Sequence, residues 1–302
     1  MVEKSMVGAA RLLISCLLWV GVVVLVACNG EEPNTKPQTP PAVGPHTVNY
    51  KAGPAHDTVF EAEGIRFYMK YVEGGTFRMG ASTDEADANY DVNADPVAEM
   101  PTHFVRLDGF LLGELEVSQA LMLAVYGLNP SHDVNLTFPA QNISYTTAER
   151  FLDSLRAATG FAFRMPTEAE WEYAARGGQP GIAAHHSYSG HDDVDSVAWH
   201  QGNSEGMPHP VGHLLPNVLG IYDMSGNVAE WCTDWYAVYP SSPQSNPQGP
   251  AQPATPNHAW HVVRGGGYNR PAFYQRVSAR QYQYGSYEAD EMGLRLALSV
   301  RQ

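Results

Sequence analysis

The chain has 302 residues, a formal net charge of −14 and 44% hydrophobic residues. This length and apolar content are enough for one large domain with a sizeable core. The acidic balance disfavours nucleic acid as a partner, because a protein that binds phosphates needs a basic face.

The N-terminus carries a targeting signal. Lys4 and Arg11 precede an apolar run, LLISCLLWVGVVVLVAC, and polar sequence follows it at once. A basic segment before an apolar segment of this length is typical of a secretory signal peptide, with a short membrane span as the alternative. Because Leu25 to Cys28 resembles a bacterial lipobox, we interpret residues 1–28 as a lipoprotein signal with Cys28 as the lipidated residue.

The next segment, residues 29–58, is predicted to be a disordered tether, since its first part is rich in Pro, Thr, Asn and Glu. Removal of Cys16 and lipidation of Cys28 leave Cys232 as the one thiol of the mature domain. An intramolecular disulfide is therefore excluded. The aromatic neighbours of Cys232 in EWCTDWY favour a buried, unreactive thiol over a nucleophile.

Alternating apolar residues from Ile65 to Tyr71 predict a first strand, and TFRMG begins a second one after a Gly-Gly turn. The segment PTHFVRLDGFLLGELEVS predicts a further strand pair. Between them lies an acidic run, from Asp84 to Glu99, without Lys or Arg. A solvated loop is the preferred interpretation, because the run lacks the regular spacing and glycine of an EF-hand cation site.

Two helices are predicted in the middle of the chain. Ser118 begins the first, and Gly127 ends it. For the second helix, Thr146 and Glu149 form a capping-box pattern, and Gly160 follows the last turn.

A third helix has the same type of start signal, with Thr167 as the cap, Glu170 three residues later and Gly177 at the end. The rest of the chain is rich in turns, and no internal repeat is present. These elements predict one α+β domain over residues 59–302, irregular and low in secondary structure.

Six segments in this order resemble the formylglycine-generating-enzyme, or sulfatase-modifying-factor, domain family: YVEGGTFRMG, EVSQALMLAVYG, FRMPTEAEWEYAARGG, PHPVGHLLPNVLGIYDMSGNVAEWCTDWY, VVRGGGYN and MGLRLAL. The resemblance extends roughly from Phe67 to Leu298. It implies an irregular α+β domain with a C-type-lectin-like core.

The segment DMSGNVAEW combines two carboxylates with a turn that exposes backbone carbonyls, and such hard oxygen ligands suit calcium. The resemblance implies one calcium ion bound by the side chains of Asp223 and Glu230 and the carbonyls of Gly226 and Val228. The alternative is a metal-free turn in which backbone N–H groups satisfy Glu230.

Oxidising members of the family bind copper through two cysteines just after the glycine turn, because Cu(I) requires soft thiolates. In this chain the two places fall near Arg270 and Gln275, and no cysteine follows Cys232. The sequence therefore predicts a protein without copper and without the oxidase chemistry of the family, unless Cys232 acts alone.

The C-terminal segment, residues 264–298, is similar to that of the variable lipoproteins of diversity-generating retroelements, such as those of Treponema, in which it forms a lectin-like ligand face. Its Tyr, Ser and Gly content is typical of antibody paratopes. Tyr268, beside the glycines, is expected to be buried, whereas the polar sequence QYQYGSYEAD favours exposure of its tyrosines. The predicted ligand-binding residues are Tyr274, Tyr282, Tyr284, Ser286, Tyr287 and Asp290.

These observations favour a non-catalytic lipoprotein, anchored by lipid in the bacterial outer membrane and exposed at the cell surface. Its expected ligand is an extracellular protein or a glycan, and retroelement diversification of residues 264–298 is a further hypothesis. Two alternatives stay open: a structural lipoprotein of a cell-envelope machine of the gliding or secretion type, and a sulfatase-modifying oxidase, which the missing cysteine pair disfavours.

Overall fold

The computed structural model describes residues 51–81 and 99–300. The signal peptide with Cys28, most of the tether and the acidic run up to residue 98 lie outside these ranges. The described residues form an α+β fold of short elements joined by long turns, as the sequence predicts. Within these ranges, no helix is both long and apolar enough to span a bilayer.

The first sheet has the order β1-β2-β5-β11, and all its strands are antiparallel. Its strands are Thr58–Ala62 (β1), Ile65–Val72 (β2), Phe110–Gly113 (β5) and Ala297–Ser299 (β11). The predicted alternation in β2 is confirmed from Ile65 to Met69, since Arg66 and Tyr68 are exposed while the side chains between and beside them are half-buried or buried. This sheet brings the end of the domain back beside its beginning, where the amide of Gly53 donates to the carbonyl of Ser299 (2.9 Å).

The second sheet has the order β3-β4-β7, with strands Gly75–Met79 (β3), His103–Leu107 (β4) and Gln244–Ser245 (β7). The predicted pairing of β4 with β5 is wrong. Both segments are strands, but β4 pairs with β3 and β5 pairs with β2 and β11. The short connection between β4 and β5 thus carries the chain from one sheet to another.

The third sheet has the order β10-β6-β8-β9 and carries the C-terminal segment. Its strands are Ala229–Trp235 (β6), Trp260–Arg264 (β8), Arg280–Tyr284 (β9) and Met292–Gly293 (β10). In the antiparallel pair β8–β9, Trp260 lies opposite Tyr284 and Val262 lies opposite Tyr282.

In the described part of the chain, four α-helices complete the fold: Gln119–Tyr126 (α1), Tyr145–Thr159 (α2), Glu168–Ala175 (α3) and the single turn Gly178–Gly181 (α4). Ser118 caps α1, and the capping box of Thr167 and Glu170 at α3 is confirmed. The predicted cap of α2 is wrong, because the Ser144 hydroxyl, two residues before Thr146, accepts the amide of Thr147 (3.2 Å).

The apolar side chains form two clusters. The first lies between the β1-β2-β5-β11 sheet and helices α1 and α2, and the second surrounds α3. The third sheet contributes to both, with Val263 in the first cluster and Val262 in the second. Since successive residues of a strand point to opposite faces, this sheet separates the two clusters.

Candidate ligand-binding face

Four arginines of the C-terminal segment form ion pairs inside the domain, and each is at most 7% exposed. Their carboxylate partners come from elements far away in the sequence. The pairs are Arg264–Glu172, Arg276–Glu99 (2.6 Å), Arg280–Glu168 (2.7 Å) and Arg295–Glu230 (2.7 Å). These pairs fix the segment to the rest of the domain. Glu99 is buried in its pair with Arg276, so the prediction that the acidic run is a solvated loop is wrong for this residue.

The glycine turn after β8 adopts a backbone conformation that only glycine tolerates here. Gly265 and Gly266 have φ values of 91° and 68°. A Cβ atom on Gly266 would lie 2.3 Å from Oε1 of Gln275 and 2.6 Å from the carbonyl oxygen of Tyr274. The turn therefore packs directly against the segment that follows it.

Gln275, near one of the two copper-cysteine places, holds this turn. Its side chain is fully buried, and its amide donates to the carbonyls of Gly267 (3.1 Å) and Arg270 (3.2 Å). Arg270, near the other place, forms an ion pair with Glu291 (2.6 Å). Both places are thus filled by side chains that bind other parts of the protein.

Cys232 is fully buried and forms no disulfide, as the sequence predicts. Burial raises the pKa of its thiol well above the ordinary value, and the nearby carboxylates of Asp234 and Glu168 raise it further. A thiolate, the form that binds metals and attacks electrophiles, is therefore strongly disfavoured at this position.

Tyr282 and Tyr284 are exposed, as predicted, at 39% and 48%. They lie two residues apart on β9 and so project from the same side of the sheet. Trp260 stacks on Tyr282 with 4.4 Å between ring centroids, and its ring meets that of Tyr284 edge to face at 5.9 Å. The ring centroid of Tyr236, which follows β6, lies 4.4 Å from that of Tyr282. We call Tyr236, Trp260, Tyr282 and Tyr284 the aromatic face.

The aromatic face is continuous with the buried ion pairs. The guanidinium of Arg280 lies 4.5 Å from the ring centre of Tyr236 and 3.9 Å from that of Tyr239. The same guanidinium is bound by both oxygens of Glu168. Stacked rings anchored by a buried ion pair give a rigid surface, which loses little conformational entropy when it binds a partner.

The other four predicted ligand-binding residues have different environments. Tyr274 packs edge to face on Phe273, and Ser286 is exposed in the turn after β9. Tyr287 was predicted to be exposed, but it is half-buried and packs against the first apolar cluster. Asp290 binds His132 (2.5 Å). Sequence reasoning thus found two residues of the aromatic face.

Tyr236 and Trp260 were missed. The signal that could have indicated Trp260 is the apolar segment WHVV directly before the glycine turn, which favours a strand paired with the tyrosine-rich segment. Tyr236 joins the face only because β6 and β8 are neighbours, with the amide of Tyr236 donating to the carbonyl of Trp260 (2.7 Å). Tyr268 is buried, as expected.

In the predicted calcium site, donors from the protein already bind the Glu230 carboxylate. Arg295 donates to both oxygens of Glu230 at 2.7 to 3.1 Å, and the indole of Trp171 donates to Oε2 (2.7 Å). Arg295 also donates to the carbonyls of Gly113 and Tyr222 (2.9 Å each).

One oxygen of Asp223 accepts the amide of Gly212 (2.6 Å), and burial raises the pKa of Asp223 to about 6. A calcium ion needs several free oxygens, and Glu230 offers none, so these residues as placed do not fit the ion. Among the described residues, no group of three His, Cys, Asp or Glu side chains converges as a metal site. The calcium site remains a prediction.

The whole domain matches known proteins. A model of the sulfatase-modifying factor enzyme 1-like domain matches residues 68–300, close to the range that the sequence motifs indicated. The chain is 28% identical to the chaperone protein LppX of Paenibacillus barcinonensis over 275 residues, which is 74% of this chain and 84% of that protein. It is 35% identical to the formylglycine-generating enzyme of Streptomyces coelicolor over 152 residues, 44% of this chain and 46% of the enzyme.

Two solved structures have the same fold. Treponema denticola variable protein 1 matches with a TM-score of 0.68 and 28% identity, over 80% of this chain and 98% of that one. PvdO from Pseudomonas aeruginosa matches with a TM-score of 0.66 and 24% identity, over 83% of this chain and the full length of PvdO. The chain therefore belongs to the sulfatase-modifying factor enzyme 1-like domain family, whose predicted α+β, C-type-lectin-like architecture is confirmed.

Proposed function

We propose that this protein is a non-catalytic lipoprotein that binds an extracellular protein or a glycan through its aromatic face. The observation that carries the proposal is the aromatic face, in which the exposed Tyr282 and Tyr284 are held in place by the rings of the half-buried Tyr236 and Trp260. Tyrosine and tryptophan are enriched among residues that dominate binding energy, because they contribute large contact areas with few rotatable bonds.

The residues at the two positions where oxidising members of the family carry copper-binding cysteines support a non-catalytic role. Gln275 and Arg270 each bind other groups of the domain there, and the remaining thiol, Cys232, is buried. The family includes enzymes, so this part of the proposal has its own test. We expect no stoichiometric Cu(I) binding and no oxidation of a cysteine-containing peptide by the purified protein. Either activity would establish an enzyme.

The similarity to a variable protein supports a binding role for residues 264–298. The ligand is to be sought with the mature protein on a glycan array and on intact cells and secreted proteins. We expect Tyr282→Ala and Trp260→Ala to weaken binding at least tenfold. Tyr68→Ala is the matched control, since Tyr68 is a 51% exposed tyrosine on another sheet. Equal binding by all three variants would exclude the aromatic face.

Retroelement diversification of residues 264–298 is proposed on the same resemblance. The genomic test is a near-copy of the last hundred or so bases downstream of the gene, together with a reverse transcriptase gene. Absence of both would remove diversification and leave ligand binding by a fixed face. The lipid anchor is tested by Cys28→Ser, which is expected to move the protein from the membrane fraction to the soluble fraction.

A second candidate function is that of a chaperone that holds a client protein, which the similarity to LppX favours. A mostly apolar groove of about 400 Å³ would suit an apolar client segment; its lining includes Phe67, Met69, Leu121, Leu136 and Leu296. Leu136, at the groove, is 50% exposed. Suppression of aggregation of an unfolded protein, lost in Leu136→Asp but kept in Tyr282→Ala, would favour the chaperone over the proposed receptor.

A further inference from the structure

A cavity of about 280 Å³ adjoins the aromatic face. Arg280 and Tyr239 line it, and Arg280 also contacts Tyr236 of the face, so the cavity and the face share a wall. Exposed residues form its rim, among them Val238, Pro240, Gln248 and Pro250. A ligand bound on the face therefore lies next to this opening.

The carboxylate of Asp234 lines the cavity, and Asp234 is only 4% exposed. Its Oδ2 atom accepts the amide of Glu168 (3.0 Å) and the hydroxyl of Thr233 (3.1 Å). Across residues 51–81 and 99–300, no group donates to Oδ1, and no Lys, Arg or His forms an ion pair with this carboxylate. Oδ1 is not among the fully buried atoms without a partner, and Gly249, which also lines the cavity, lies beside it, so this oxygen is free to accept a donor at the cavity wall.

The negative charge of Asp234 is not neutralised by a basic side chain of the cavity wall. The arginine of the cavity wall, Arg280, is already bound by both oxygens of Glu168. Burial and the negative charge of Glu168 together raise the pKa of Asp234 to about 7. A cation from outside would gain a charge-assisted hydrogen bond and would relieve this repulsion.

The geometry distinguishes between cations. A guanidinium prefers two parallel hydrogen bonds, one to each oxygen of a carboxylate, but Oδ2 already accepts two donors, so only Oδ1 is left and this two-oxygen arrangement is blocked. A primary ammonium is a compact charge that needs only one acceptor position on this group. Its aliphatic stem would pass the apolar wall of Val238, Pro240 and Trp235.

Building on the proposed function of the aromatic face, we propose that this cavity receives a lysine side chain of the protein ligand, whose ammonium donates to Asp234. The cavity would thereby select ligands that present a lysine beside the patch covered by Trp260 and Tyr282. No chemical step is involved, only the burial of one cation against one carboxylate. The net charge of −14 favours such a ligand over an acidic one.

The test titrates the mature protein with N-acetyl-lysine methylamide and follows the amide and indole signals of Trp235 by NMR. We expect saturable binding, at least tenfold weaker with the uncharged isostere N-acetyl-norleucine methylamide and with the arginine analogue. Asp234→Asn is expected to weaken lysine binding at least tenfold. The matched control is Asp153→Asn, since Asp153 is a 75% exposed carboxylate on α2, and it should bind as the wild type does.

The proposal is overturned if the lysine probe does not saturate, if norleucine or arginine binds as well, or if Asp234→Asn binds unchanged. The Asn variant is expected to fold, because its amide oxygen still accepts the Glu168 amide and no charge is buried; an unchanged wild-type-like NMR spectrum checks this. The probe needs no natural ligand, so failure here leaves the aromatic face untouched. Conversely, Tyr284→Ala removes a face residue outside the cavity and should leave probe binding intact.

Discussion

The C-terminal segment contains two regions that reverse the usual distribution of polarity. Its arginines, Arg264, Arg276, Arg280 and Arg295, are buried, whereas Tyr282 and Tyr284 are exposed. The buried charges are paired with carboxylates, which is the condition under which a charge is tolerated inside a protein. The difference shows how the fold is held by ion pairs while its aromatic residues remain available for a ligand.

Loss of one of the four buried arginines, which we call the ion-paired frame together with their carboxylate partners, should have the largest effect. In Arg264→Met the side-chain volume is nearly kept, but Glu172 loses one of its two arginine partners and keeps only Arg176, and the carbonyls of Ser278 and Ala279 lose a donor. We expect the free energy of unfolding to fall by about 3–5 kcal/mol, measured by urea denaturation. Arg66→Met, which removes an exposed ion pair, is the control and should stay within about 0.5 kcal/mol of wild type. A loss below about 1 kcal/mol at Arg264 would contradict the ion-paired frame.

The buried carboxyl of Asp234 should make stability depend on pH. Its pKa is raised to about 7 in the folded state, well above its ordinary value near 4, so the folded protein binds more protons between these pH values. Stability contributed by this group is therefore present at acidic pH and is lost as pH rises from about 4 to 7.

The Asp234 carboxyl should raise the Tm of the wild type at pH 5 relative to pH 8. In Asp234→Asn we expect this gain in Tm at pH 5 to be smaller. Asp223, whose pKa is raised to about 6, contributes in the same direction and stays in both proteins. Equal pH profiles of the two proteins by calorimetry would show that Asp234 does not titrate as inferred.

Removal of the exposed aromatic residues should cost little stability. The double variant Tyr282→Ala, Tyr284→Ala is expected to lose about 1 kcal/mol or less, since both side chains keep much of their surface in water when folded. Tyr268→Ala, which truncates a buried tyrosine of the same segment, should lose about 3 kcal/mol or more. Similar losses in the free energy of unfolding in the two variants would show that the exposed aromatic face is as important for stability as the buried part of the segment.

The smallest expected effect is that of chelation. Arg295 already supplies a positive charge to Glu230, so EDTA should leave Tm unchanged to within experimental error. An ion bound only by the folded state would stabilise it by mass action. A fall in Tm with EDTA that calcium reverses, and that Asp223→Asn abolishes, would instead establish the predicted calcium site.

Local signals of the fold were predictable from the sequence. The capping box at Thr167 depends on residues three positions apart, and the strand alternation from Ile65 depends on neighbours. At α2, Ser144 and Thr146 are both good capping residues, and the sequence does not decide between them. The structure identifies Ser144 as the cap, because its hydroxyl accepts the Thr147 amide.

The non-local part was not predictable. The partners of the four buried arginines lie between 65 and 177 residues away in sequence, for example Arg295 with Glu230 and Arg276 with Glu99. No local pattern encodes such pairs. For the same reason, Trp260 and Tyr236 were missed in the aromatic face, while Tyr282 and Tyr284 could be found from composition.

The closure of the first sheet by β11 has a consequence for biosynthesis. The strand Ala297–Ser299 pairs with β5, and the carbonyl of Ser299 accepts the amide of Gly53, so residues from the two ends of the described domain lie side by side. A nascent chain lacks this strand, and lacks Arg295, until translation has passed residue 299. The domain therefore cannot complete its first sheet before residues 297–299 have been synthesised, and this non-local pairing forms later than the local turns of the helices.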